Sequence, residues 1–225
     1  MTVDCAPFQT IILITGEVEH PILADVLRRH NAALTIQAVT TAADLAGLDR
    51  SVLASSRIVA FSTNVLVPGD ILAATGWGAY NFHPGSPAFP GWAPAAFAAY
   101  DGASRFGATA HVMTARIDAG AIIATELFDV PDRCTPLRLA ELAYAALARL
   151  FWSLAEDLAN HAAPLPTLPT PWGNKCGTRR AFAQLCDIPA DIEAAELARR
   201  VEAFGDGDGM TRPTVTLHGH RFRLE

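Results

Sequence analysis

Residues 57–92 read RIVAFSTNVLVPGDILAATGWGAYNFHPGSPAFPGW, and the fold turns on how this stretch divides. Arg57–Phe61 is a short, β-branched apolar run of the kind that buried parallel strands use. Pro68–Ala74 has helical spacing behind a proline, and Gly78–Phe82 is a second strand-like run. Strand, helix and strand in succession form a β-α-β unit. Pro84, Gly85, Pro87, Pro90 and Gly91 then continue neither helix nor strand. Asn81 and His83 stand two apart where the strand ends, so their side chains point the same way.

The same rhythm extends upstream. Thr10–Thr15 reads as a buried strand, the pattern from Pro21 as a helix and Leu34–Val39 as a strand, and Thr41-x-x-Asp44 as a capping pair opening a short helix. The fold class expected is α/β, a doubly wound, mostly parallel sheet of Rossmann-like kind. Downstream, Pro94–Tyr100 reads as a short helix ending near Gly102. Ala108–Thr114 and Ala121–Phe128 read as strands flanking RIDAG (116–120), and Thr135–His161 as the longest helix. Residues 162–173 carry four prolines and read as an extended strap that crosses the fold without binding anything. A helix over Ala190–Phe204, a glycine-rich GDGDG turn and a hairpin over Thr214–Leu224 complete the chain. The expected division is a catalytic domain over 1–161, a linker over 162–173 and a small α+β appendage over 174–225.

Of 225 residues 51% are hydrophobic and 18% charged, which supports a sizeable core. A net charge of −6 with no Lys/Arg-rich run argues against a nucleic-acid partner. None of the four cysteines forms a C-x-x-C pair or has a histidine at finger spacing, which argues against zinc, and no other metal is expected. Neither a signal peptide nor a membrane-spanning run is read, so the expected location is cytoplasmic. The Leu/Trp/Phe pattern within 137–158 is read as core or as an oligomer face compatible with a homodimer.

In doubly wound sheets, ligands bind beyond the carboxyl ends of the strands. Asn81 and His83 are placed at such an end, and Asp118 lies in the turn between two later strands. An amide can donate to a developing oxyanion, an imidazole can add charge or move protons, and a carboxylate can orient the imidazole and favour its protonated form. No member of this trio is a good nucleophile. The set suits direct attack by a substrate amine on a carbonyl carbon, without a covalent enzyme intermediate. His111 is read as a buried histidine supporting the site. His218 and His220 are read as solvent-facing, and Cys176 and Cys186 as inert thiols.

The ordered blocks N-F-H-P…P-G-W-x-P, G-A-T-A-H and I-D-A-G-A-I-I resemble the folate-dependent formyltransferase family over roughly residues 57–128. That family includes glycinamide ribonucleotide, methionyl-tRNA and amino-sugar formyltransferases. The resemblance implies Asn81, His83 and Asp118 as catalytic residues and N10-formyltetrahydrofolate as co-substrate. It implies a pterin pocket built from Asn64, Val65 and Leu66 together with Arg116 and Ile117. Gly85-Ser86-Pro87-Ala88 replaces the family's S-L-L-P, so the acceptor side is reshaped; Ser86 and Trp92 are its expected substrate contacts, with Trp92 read either as a wall of the acceptor pocket or as a plug at the base of the loop.

Two glutamates in TGEVEHP (15–21) argue against a phosphate-bearing purine precursor, and the short acidic tail argues against tRNA. A small-molecule amine, an amino sugar linked to a nucleotide, is the implied acceptor. The alternatives are a formyltetrahydrofolate hydrolase, a methionyl-tRNA-type enzyme and a catalytically dead folate-binding scaffold.

Overall fold

The computed structural model describes residues 8–161, 164–205 and 211–224. Cys5, residues 162–163 of the proline-rich strap and most of the GDGDG turn lie outside the described residues. The chain runs β1 (Thr10–Ile14), α1 (Glu19–His30), β2 (Thr35–Val39), α2 (Ala42–Ala46), α3 (Arg50–Ala54), β3 (Ser56–Phe61), α4 (Gly69–Ala74) and β4 (Ala79–His83). It continues through α5 (Pro94–Tyr100), β5 (Arg105–Val112), β6 (Ile122–Asp129), α6 (Pro136–Asn160), α7 (Arg179–Cys186), β7 (Asp187–Ile188), α8 (Ala194–Phe204), β8 (Thr214–Leu217) and β9 (His220–Arg223).

Six strands form one sheet in the order β2-β1-β3-β4-β5-β6. The first four pair in parallel, while β5 and β6 run antiparallel. β1 and β3 are buried along their whole length, as strands covered on both faces must be. Their side chains alternate between two cores. Ile11, Leu13, Val59 and Phe61 pack under α1 and α6, whereas Ile12, Ile14, Ile58 and Ala60 pack with Leu45, Leu53 and Ile71 of α2, α3 and α4. α3 is not anticipated from the sequence, being a single five-residue turn behind the Asp49 cap.

Arg57 is the second residue of β3 and is fully buried. Its guanidinium donates to the Trp77 carbonyl (3.0 Å) and to the carbonyls of Asp157, Leu158 and His161 at the end of α6. The rings of Phe8 and Tyr80 flank it, 4.9 and 5.5 Å from Cζ. A cation thus meets the orphan carbonyls and the negative pole of the longest helix, while burial lowers its pKa from the ordinary value.

The C-terminal residues build a second sheet, β7-β8-β9. Phe182 and Cys186 of α7 and Phe204 of α8 are buried against Trp92 and against Phe97 and Tyr100 of α5. Between α6 and α7 the proline-rich strap pairs twice with the loop after β4. Gly173 N–H donates to the Pro87 carbonyl (2.7 Å), Gly177 N–H to Pro90 (2.7 Å), and Trp92 N–H returns to Gly177 (2.8 Å). Gly91, at φ +92°, is required there, because a Cβ would stand 2.3 Å from the Gly177 carbonyl oxygen. Among the described residues, no helix is long and apolar enough to cross a membrane.

Candidate active site

The site is assembled by the pleat of β4 and its register with β5. Tyr80 and Phe82 enter the core under α6, which turns Asn81 and His83 to the opposite face. Asn81 pairs with His111, and His83 with Thr109, in the antiparallel β4–β5 ladder. Facing pairs on one side of such a ladder bring their side chains together. A register shift at Ala110/His111 marks a bulge on the β6 side, beside the imidazole. Thr109 Oγ1 donates to the Gly85 carbonyl (2.7 Å) and pins the start of the loop.

Asp118 arrives from the β5–β6 connection in a left-handed conformation, φ +42°. Its Oδ1 stands 3.1 Å from His111 Nε2 and accepts from Asn81 Nδ2 at 3.3 Å. Oδ2 accepts the Gly91 N–H at 2.8 Å and lies 3.2 Å from His83 Nδ1. Burial alone would raise the carboxyl pKa, but these donors outweigh it and hold Asp118 below the usual carboxylate value.

His83 is 5% exposed and lies between two acceptors, Asp118 Oδ2 at Nδ1 and the Phe89 carbonyl, 3.0 Å from Nε2. A neutral ring satisfies one of them; the imidazolium satisfies both. Burial is nonetheless the larger effect. It lowers the His83 pKa against the opposing pull of Asp118 and Phe89, with His111 adding to the lowering. Burial thus favours the neutral ring, which lies beside groups that stabilise its charged form. The sequence-based expectation of a standing imidazolium takes in the carboxylate but not the burial.

Gly85 sets no side chain against the His83 ring. A Cβ there would stand 2.4 Å from His83 Nε2 and 2.8 Å from the Pro94 Cβ. The glycine leaves room for the ring in the position from which it reaches Phe89.

A cleft of about 510 Å³ opens beside the cluster, lined by Pro90, residues 116–121, residues 170–174 and Cys176. Asp118, Arg116 and Ile117 line it directly, while Asn81 and His83 stand behind Asp118. Asn64, Val65 and Leu66 do not line it. They occupy the neighbouring loop, where Val65 and Val67 share a cluster with Met113 of the Asp118 connection. Leu66 and Ile117 expose 65% and 56% of their surface. Ser86 is buried, with no hydrogen-bond partner for its hydroxyl. Trp92 packs edge-on against Phe182 (4.9 Å between ring centroids) beneath Arg179, as part of the C-terminal anchor.

The residues that sequence reasoning passes over are those of the strap. Trp172 lies edge-to-face against both imidazoles and donates from Nε1 to the Gly120 carbonyl (2.7 Å). The strap thus walls the site. Cys176 lies at its rim, its thiol pKa raised by burial and by Asp118, and burial pushes Cys186 up to about 11. A second hollow, about 630 Å³, lies beyond residues 174–177 and is lined by Phe89, Phe97, Tyr100, Leu185 and Lys175 among others. Among the described residues there is no cluster of three or more His, Cys, Asp and Glu able to hold a metal.

Residues 52–142 match the family described as formyl transferase. A sugar N-formyltransferase from Shewanella sp. is 18% identical, with a TM-score of 0.79 and 97% of both chains covered. Methionyl-tRNA formyltransferase from Clostridium thermocellum is 17% identical, with a TM-score of 0.63, covering 96% of this chain and 91% of its own. The N-formyltransferase from Helicobacter canadensis, solved with folinic acid and dTDP-3-aminofucose, is 11% identical at a TM-score of 0.65, covering 94% and 85%. Residues 52–142 are thus similar to the formyl transferase family, and the whole chain has the fold that these formyltransferases share.

Proposed function

We propose that the chain transfers a formyl group from N10-formyltetrahydrofolate to the primary amine of a small molecule, an amino sugar carried on a nucleotide. The observation that carries this reading is the cluster of half-buried Asn81 with buried His83, His111 and Asp118 at the carboxyl end of β4, beside an open cleft. The cluster contains no nucleophile, and the raised pKa of the neighbouring Cys176 keeps its thiol protonated at neutral pH.

The substrate amine attacks the formyl carbon directly. Asn81 donates an amide N–H to the oxygen as it gains charge. A single such donor typically supplies ~3 kcal/mol of transition-state stabilisation. Asp118, which lines the cleft, takes the proton shed by the newly bonded nitrogen and passes it to neutral His83, and the resulting imidazolium is stabilised by Asp118 and the Phe89 carbonyl. His83 then returns that proton towards N10 of the departing folate. The exposed apolar side chains of Leu66 and Ile117, on adjoining loops, suit the flat pterin ring. The second hollow, with Phe89, Phe97, Tyr100 and Lys175, suits the base and phosphates of a nucleotide.

The test is release of tetrahydrofolate by the purified chain with and without a panel of nucleotide-linked amino sugars. Release that requires one of these amines, with its N-formyl derivative as product, is the expected result. Release without any amine would establish a hydrolase, and folate binding with no release would establish a dead scaffold.

A further inference from the structure

We propose that Trp172 is a positioning residue for the two imidazoles around Asp118, which makes the proline-rich strap a wall of the active site. Its ring centroid lies 5.0 Å from that of His111 at an interplanar angle of 90°, and 5.9 Å from His83 at 71°. Both are edge-to-face geometries in the range where aromatic pairs attract beyond their buried area. The indole also donates to the carbonyl of Gly120, two residues from Asp118, so one side chain contacts both rings and the connection that carries the carboxylate.

The backbone that presents the indole is pinned on both sides. Before it, Leu168 N–H donates to the Ile122 carbonyl at the start of β6; after it, Gly173 N–H donates to the Pro87 carbonyl of the loop beyond His83. Four prolines between 164 and 171 stiffen the approach. A Trp held in this way has little freedom to leave the imidazoles.

An imidazole can turn about its own axis and exchange the roles of its nitrogens. The indole packed against both rings opposes that rotation and keeps water from the surface it covers. His83 is faced by Asp118 and by His111; Cys176 and Arg116 are the further titratable and charged groups of the surrounding segments. With Trp172 in place, Nδ1 of His83 stays on Asp118 and its Nε2 on Phe89. The consequence for turnover rests on the formyl-transfer reading; the effect on the rings does not.

The experiment compares the full chain with Trp172→Ala and Trp172→Phe by histidine-ring NMR across pH and by steady-state kinetics. In Trp172→Ala, relief of burial moves the His83 titration to higher pH and brings its ring nitrogens into exchange. The kcat falls roughly 10²-fold, the scale of a misplaced reacting group. Trp172→Phe, which keeps an aromatic edge over both rings, recovers most of the titration and the rate. An unchanged His83 titration in Trp172→Ala overturns the proposal, even if thermal stability falls, and so does a rise in kcat. If the native chain formylates no amine while Trp172→Ala still shifts His83, the functional reading fails and the positioning role stands.

Discussion

His83 Nδ1 and Asp118 Oδ2 stand 3.2 Å apart with 5% of either side chain exposed, between a strand end and a loop 35 residues further along the chain. Burial, the first cause of the His83 shift, lowers its pKa below the ordinary 6.5. Burial acts the opposite way on Asp118, but the His111, His83 and Gly91 donors lower its pKa below 3.8 all the same. Both shifts have the same sign for stability. The unfolded chain binds a proton at His83 that the folded chain refuses as pH falls through 6.5, and the stability held by ionised Asp118 is lost at lower pH, from its unfolded value downward. The protein therefore loses stability progressively on acidification from neutrality. Urea denaturation between pH 8 and pH 5 should show His83→Gln flattening this slope; an identical slope in that variant would mean His83 is not buried neutral.

Gly85→Ser restores the residue type of the family pattern at this position and sets a side chain against His83 Nε2 and Pro94. The ring must move off the Phe89 carbonyl. The expected outcome is a loss of kcat of ~10²-fold with folate affinity retained, measured by steady-state kinetics and by titration with a folate. Full turnover in Gly85→Ser would show that the His83–Phe89 contact has no role in the rate.

Arg57→Met removes the cation from the carbonyls of Asp157, Leu158 and His161 and leaves buried acceptors without donors. The expected destabilisation is on the order of 3 kcal/mol or more, read from the urea midpoint at constant m-value. Arg57→Lys, with a compact ammonium in place of the fork, should fall between the two. A loss in Arg57→Met no greater than a surface substitution would contradict the capping role.

Leu66→Asp and Ile117→Asp place charges on the two exposed apolar side chains beside the cleft. Each should weaken binding of a folate about tenfold, equivalent to ~1.4 kcal/mol, with the melting temperature unchanged. Calorimetric titration checks this, and undiminished affinity in both variants would move the pterin away from these loops.

Much of this site is legible in the sequence because its chemistry sits where periodic elements end. The full burial of β1 and β3 follows from unbroken apolar runs, and Asn81 and His83 stand out as polar groups towards the end of β4, with Asp118 in the β5–β6 connection. His111 is legible as a buried supporting histidine, although its contact with Asp118 depends on the β4–β5 register, which no local pattern encodes. Trp172 is illegible for a different reason. A proline-rich segment has no periodicity, so nothing local marks which side chain turns inward; its docking depends on main-chain bonds to Ile122 and Pro87, distant in sequence. The partners of Arg57 are not legible in the sequence, because they are backbone carbonyls a hundred residues away. Trp92 allows two sequence readings, a pocket wall or a plug, and the structure packs it against Phe182 of the short helix α7, which the sequence pattern leaves undrawn.

The most direct test of the central claim is amine-dependent tetrahydrofolate release by the native chain, Asn81→Ala, His83→Gln and Asp118→Asn, with folate affinity measured on the same samples. The account predicts that all three variants bind folate and that each loses at least ~10²-fold in kcat, the range for a removed oxyanion donor or proton-transfer group. Turnover near the native rate in any one of the three would contradict it.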